Sequence, residues 1–507
     1  MPRPQMTVPP ARRVTLDQGV GHRLTVALGR RVNRAAWRVG LLGAVTAIVL
    51  PGAATAQLPE RGGQFRISTT GAERDRSRAA FRPAVAYNSA DDEYLAVRFA
   101  DLLDGNPFKA DVFAQRLSST GRELGGDVRV STTGDDGDTS KRIFTTELDV
   151  AYGSATNEYL TVWSSDLLAG PGNEFEIRGQ RISAAGVELG SDLQISHARA
   201  SGDATANAFD PAVAYNSGLG EYLVVWADDR LRDQQWEVFA QRLSPSGQEV
   251  GPALRVSSSP EQADVFRPDI AYNAADDEYL VIWGGDVLAG PARKAEVLGQ
   301  RLSGDGQELG GDFRISHSGP DEPGRGGAGA PAVAYNPAGN QYLVVWNGSD
   351  ADVVAPEDFE IFAQRISAAG GELGSDFRVS RTKPDGDPAS GAFFPAIVSG
   401  SASGESLVSR ISGLRSGAAA QISAQRISAA GVPLGSDFQV SNAPPGDERA
   451  TFAEFPALSH GATANEYLAV WNGDASASPG EVEIFGQRLQ ALPVPPPPEG
   501  PPSPPGP

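Results

Sequence analysis

The amino-acid sequence predicts an all-β fold: a seven-bladed β-propeller of four-stranded antiparallel blades, closed by an N-terminal strand that completes the last blade. Three observations predict it. A Gln-Arg pair recurs at Gln115-Arg116, Gln180-Arg181, Gln241-Arg242, Gln300-Arg301, Gln364-Arg365, Gln425-Arg426 and Gln487-Arg488, at intervals of 59 to 65 residues, and a fixed period of that size marks a repeat architecture. Each period holds four short apolar runs rich in Val, Ile, Tyr, Phe and Trp, separated by Gly, Ser, Asp and Asn, and none has the length or spacing of a helix. The array is also offset at its ends. Phe65-Arg-Ile-Ser68 is a fourth-strand segment before the first full unit, and the last unit stops after Leu489 with no fourth strand of its own. Pairing the orphan with the vacancy closes the ring and removes exposed sheet edges.

Blade one runs from Pro83-Ala-Val-Ala-Tyr-Asn88 to Val128-Arg-Val-Ser131 and carries Arg98 where other blades carry Trp. Blades two to five are the most regular, with Trp163, Trp226, Trp283 and Trp346 at one equivalent position. Blade six has lost Tyr, Asn and Trp from Pro395–Gly400 and Ser406–Arg410 but keeps Gln425-Arg426, and blade seven recovers Glu466-Tyr-Leu-Ala-Val-Trp471. Strands such as Tyr222-Leu-Val-Val-Trp226 are apolar on both faces, as expected of a sheet covered on both sides. Ala or Gly precedes every repeated Gln (114, 179, 240, 299, 363, 424, 486), which suggests a place where a neighbouring sheet approaches closely. All eleven Tyr fall at two repeat positions and five of the seven Trp at a third. That distribution assigns these aromatics to packing and leaves little for a sugar-stacking platform.

This pattern of Ala-Tyr-Asn, Tyr-Leu-Val-Val-Trp, Gly/Ala-Gln-Arg and Phe-Arg-Ile-Ser over residues 65–489 resembles a repeat of exported bacterial proteins that are β-propeller-like. The resemblance carries no catalytic motif to transfer, and blade six departs from it.

Outside the ring, residues 1–56 read as a signal peptide with a long basic n-region. Arg30, Arg31, Arg34 and Arg38 precede the apolar stretch Val39–Leu50, and Ala54-Thr-Ala56 supplies small residues for cleavage before Gln57. The expected location is therefore outside the cytoplasm, secreted or periplasmic or at the cell surface, with no membrane insertion after cleavage. Residues 57–64 form a lead-in, and the Pro-rich segment 490–507 is expected to be a disordered or polyproline tail. The formal net charge is -20, and removal of the leader's eight Arg and one Asp takes it to about -27. Such a charge argues against nucleic acid as a partner. With no Cys, thiolate chemistry and disulfides are excluded.

Loops from second to third strand, and from blade to blade, vary and share one face, where binding is expected. That face is acidic. Asp101, Asp166, Asp229, Asp286 and Asp474 each follow the Trp position by three residues, and Asp135, Asp136, Asp138, Asp385 and Asp387 form dense local groups. These ten are the candidate ligands for Ca²⁺, which takes six to eight oxygens; the competing reading is that each Asp bonds nearby backbone N–H groups. The Gln-Arg pairs read as ties between strands, and His197 and His317 as surface residues. The sequence reading favours a monomeric, non-enzymatic binding scaffold for a protein or polysaccharide ligand, acting through the variable loop face. Two alternatives are a glycosidase or lyase with its site at the axial funnel and an architectural envelope component. Polar residues that break the repeat and converge at the channel mouth mark the enzyme; a channel lined by repeat residues alone excludes it.

Overall fold

In the computed structural model the described residues are 60–69, 79–101, 110–131, 142–166, 175–198, 207–232, 235–258, 264–288, 294–318, 327–349, 359–381, 391–400, 404–413, 420–441, 452–474 and 481–491. The leader expected over 1–56 and the tail beyond Ala491 lie outside them, as do the variable loops between second and third strands and between blades.

The described residues form seven four-stranded antiparallel sheets and no helix. Blade three is representative: Ala208–Asn216, Glu221–Arg232, Gln235–Leu243 and Glu249–Arg255 pair in chain order. Blade seven takes Ala453–Gly461, Glu466–Asp474 and Val482–Gln490 from the C-terminal end and Phe65–Arg66 from the N-terminal end. Phe65 lies opposite Gly486 and Arg66 opposite Phe485. Ring closure by the orphan strand is thus realised.

Seven apolar clusters hold the ring, one at each junction between successive blades. Trp163, Trp226, Trp283, Trp346 and Trp471 are at most 2% exposed. In blades one to five the Tyr of the first strand packs on the Tyr opposite it, with ring centroids 5.0–5.5 Å apart, and His460 replaces the first-strand Tyr of blade seven against Tyr467. Arg98 and Arg410 fill the Trp position of blades one and six; each is buried and ion-paired, to Asp127 and Asp437 respectively.

The small residue before each Gln has a different reason from the expected one. A Cβ at Gly179 meets Ile195 Cδ1 at 2.9 Å, and one at Gly299 meets Ile315 Cδ1 at 2.8 Å. Those side chains follow the fourth strand of the same blade, so the space serves packing within a sheet. The repeated Arg does cross to the next blade. Arg242 pairs with Glu221 of its own blade and donates from Nη1 to the Asp305 carbonyl of blade four at 3.1 Å. Arg116, Arg181, Arg301, Arg365 and Arg488 each donate likewise to a turn carbonyl of the following blade.

Candidate functional site at the axis

The first strand of every blade faces the central channel, and each is interrupted near its start by a β-bulge. In blade one pairing passes from Phe81 directly to Ala84. The residues skipped are Arg82-Pro83. Proline suits this inner edge because its missing N–H is not needed by a neighbouring strand. The residue before it turns into the channel with positive φ: Arg82 (49°), Asp210 (53°), Arg267 (48°), Ala330 (45°), Phe394 (48°) and Phe455 (50°). Side chains rarely adopt that conformation, least of all before proline, and each instance costs of order 1–3 kcal/mol. Six copies of the same strained turn therefore aim six side chains of four kinds at one place.

Blade two departs. Its first strand, Arg142–Gly153, has Glu147-Leu148 instead of a residue followed by proline, and two more residues separate Phe144 from Asp149 than separate Phe81 from Ala84. The longer bulge delivers Glu147 to partners in two other blades. Its Oε1 accepts from Arg82 Nη1 at 3.0 Å and from Arg267 Nη1 at 2.7 Å. The Arg82 guanidinium lies 3.9 Å from the Phe455 ring centre, Arg267 lies 4.8 Å from that of Phe394, and the two Phe rings are 5.1 Å apart. Glu147, Arg82, Phe455, Phe394 and Arg267 thus close a circuit of contacts around the axis, charged on one side and aromatic on the other. They line a cavity of ≈ 260 Å³ together with Asp149, Asp210 and Asp269.

Two positions further along the strand, Ala84, Ala212, Ala332, Ala396 and Ala457 stand in five blades, and Asp149 and Asp269 in the other two. Asp149 accepts from the Val150 N–H and, with its other oxygen, from the Val213 N–H of blade three; Asp269 does the same with Ile270 and Val333. Burial pushes the Asp149 carboxyl up to about 7, with the Val213 hydrogen bond opposing it, and the Asp269 carboxyl up to about 6. Glu147 keeps 32% of its side chain open to the cavity, yet the encircling wall makes desolvation the dominant influence and raises its carboxyl, with Arg267 and Arg82 pulling it back. The Asp210 carboxylate lines the same cavity and forms no ion pair with any described residue.

The acidic residues singled out in the sequence lie elsewhere. Asp101, Asp166, Asp286 and Asp474 end second strands and Asp229 lies within one; all five are 1–9% exposed, so their carboxylates are not open to solvent. Asp229 accepts from the Asn207 N–H at 2.8 Å, a bond from the second strand to the residue that precedes the first strand of the same blade. Asp135, Asp136, Asp138, Asp385 and Asp387 lie outside the described residues. Among the described residues no three of His, Asp and Glu are grouped so as to hold a metal ion. His197 meets Glu249 and His317 meets Glu372, two separate surface contacts. The sequence reading missed the axial ring because its aromatic census covered Tyr and Trp alone. The available signal was the residue before the repeated proline, which differs in almost every blade while its surroundings stay constant.

No protein-family model matches the chain, and no curated protein is similar to it. Among solved structures it is similar to the GH93 alpha-L-arabinofuranosidase of Fusarium graminearum in complex with arabinobiose, at 11% identity and a TM-score of 0.43, covering 85% of this chain and 98% of that one. It is also similar to the polysaccharide lyase Uly1, at 10% identity and a TM-score of 0.47, covering 85% and 100%, and to the Hadza microbial sialidase Hz136, at 12% identity and 0.45, covering 75% and 73%. At these values the likeness is one of fold. The expectation of a non-enzymatic scaffold working through the variable loops is corrected here. Polar residues that break the repeat converge at the axial cavity, the feature set above as the mark of an enzyme.

Proposed function

We propose that the chain is a carbohydrate-active enzyme, a glycosidase or lyase, with its site at the axial funnel. The observation that carries this reading is the ring of side chains at the bulge: Arg82, Asp210, Arg267, Ala330, Phe394 and Phe455 on one repeated backbone turn, with Glu147 added from the longer bulge of blade two. A scaffold position has no cause to vary in this way while keeping a costly conformation.

Glycoside hydrolysis needs a carboxylic acid that holds its proton near the working pH and a second carboxylate that stays ionised. Asp149, raised to about 7, fits the first role. Asp210, on the next blade and lining the same cavity, supplies the second carboxyl group. In an inverting cycle the Asp149 proton goes to the glycosidic oxygen as the bond to the anomeric carbon breaks. Asp210 takes a proton from the water that attacks that carbon. The apolar faces of a sugar ring suit Phe394 and Phe455. Export agrees with such work, and the basic and apolar run of the leader supports it.

Purified full-length protein offered a panel of aryl glycosides and polysaccharides is expected to release phenol or new reducing ends; unsaturated ends mark a lyase instead of a glycosidase. Asp149→Asn and Asp210→Asn are each expected to lower kcat/KM by about 10²–10⁴, with folding retained. Absence of turnover across the panel, or full activity in both variants, overturns the proposal.

A further inference from the structure

The contacts of Glu147 carry a statement about substrate that the reaction class does not contain. Two guanidiniums from different blades donate to a single oxygen of that carboxylate, and both guanidiniums rest on the faces of Phe455 and Phe394. Arginine is the side chain best suited to holding a carboxylate, through planar, charge-assisted hydrogen bonds. The arrangement is therefore a finished carboxylate receptor whose present occupant belongs to the chain. The occupant is held from outside the ordinary pattern. Only blade two lacks proline at the bulge and carries the two extra residues that let Glu147 reach across. The three charged side chains keep 18%, 32% and 26% of their surface open to the cavity (Arg82, Glu147 and Arg267), so a solute can reach them.

We propose that Arg82 and Arg267 form the binding subsite for the carboxylate of a sugar acid, that Glu147 occupies this subsite in the free protein as an internal mimic, and that the ring of the bound sugar stacks on Phe394 and Phe455. The proposal rests on the axial-site reading above and names its substrate class. The ligand is one acidic sugar unit, free or at a chain end, not a polyuronate. A cavity of ≈ 260 Å³ is smaller than the roughly 300–1,000 Å³ of most ligand pockets and accepts about one ring. The net charge of -20 repels a long polyanion, whereas a single carboxylate adds one negative charge to the cavity, which proton uptake by the displaced Glu147 carboxyl, raised by desolvation, balances.

Calorimetric binding of methyl β-glucuronide and methyl β-glucoside to the full chain tests this, because the two probes differ at one carboxylate. The wild type is expected to bind the glucuronide at least tenfold more tightly. In Glu147→Gln the internal competitor is neutral, and the ratio of glucuronide to glucoside affinity is expected to rise about tenfold further. In Arg267→Gln the ratio is expected to fall towards one. Equal affinity of the wild type for the two probes, binding of neither, or an unchanged or lower ratio in a folded Glu147→Gln protein overturns the inference. The wild-type comparison stands even where a variant does not fold. Turnover of neutral glycosides with no glucuronide preference removes this inference and leaves the axial enzyme in place. Glucuronide binding with no turnover of any glycoside removes the enzyme and leaves the receptor.

Discussion

The rim and the axis of this ring are built from the same repeat and behave oppositely. At the rim, the Gln-Arg arginines perform one task over and over: pairing with the head of the second strand and bonding a turn carbonyl of the next blade. At the axis, one backbone turn repeats while the side chain on it runs through Arg, Asp, Arg, Ala, Phe and Phe, with Glu in the modified turn of blade two. A residue that must satisfy the same neighbours in each blade is held constant by geometry. At the axis the seven positions line one cavity and five of the side chains touch in a circuit, so sevenfold identity is not required and seven like charges would repel. Repetition therefore marks what holds the ring together, and departure from it marks where the chemistry is.

Three changes test that contrast from the large end down. Trp226→Ala removes a fully buried ring from the junction between blades two and three and should cost about 3–5 kcal/mol, read as a lower denaturant midpoint. A change below 1 kcal/mol breaks the assignment of the Trp position to packing. The axis has its own signature in pH. The Asp149 carboxyl is raised to about 7 in the fold against about 3.9 in an unfolded chain, so the folded state binds the extra proton between those values. The stability it contributes is present below about pH 4 and lost as pH rises towards 7. Wild-type melting temperature should fall more steeply between about pH 5 and 7.5 than that of Asp149→Asn. Parallel slopes contradict the raised carboxyl. The smallest effect belongs to the rim. Arg242→Ala removes one partly exposed ion pair and one interblade hydrogen bond, worth about 1 kcal/mol, and should leave glycoside turnover and sugar binding unchanged. Loss of activity without loss of fold sinks the separation between rim and axis.

Much of the fold was legible before any coordinates because its causes are local and repeated. Tyr222–Trp226 reads as a strand covered on both faces, and Phe65–Ser68 standing alone reads as a missing fourth strand. Arg98 and Arg410 were visible as departures at the Trp position, but their ion pairs with Asp127 and Asp437 depend on how the fourth strand folds back. The burial of the described acidic candidates was not legible in the sequence, for a physical reason. Asp101 and Asp229 look exposed in a turn-rich segment, yet they lie in strands that the ring covers. The site was not legible because its members are far apart in sequence: Arg82, Glu147, Arg267, Phe394 and Phe455 span most of the chain and share nothing except register.

By itself the sequence determined the strand content, the seven units, their order and the way the ends join, since period and polarity act over a few residues. The tertiary structure alone decided which departures from the repeat meet. Closure of the ring brings the start of every first strand to one axis, and the bulge there turns outlying side chains inward. Burial at that axis is the largest cause that raises Asp149 and Asp269, and ring closure sets Glu147 between two arginines.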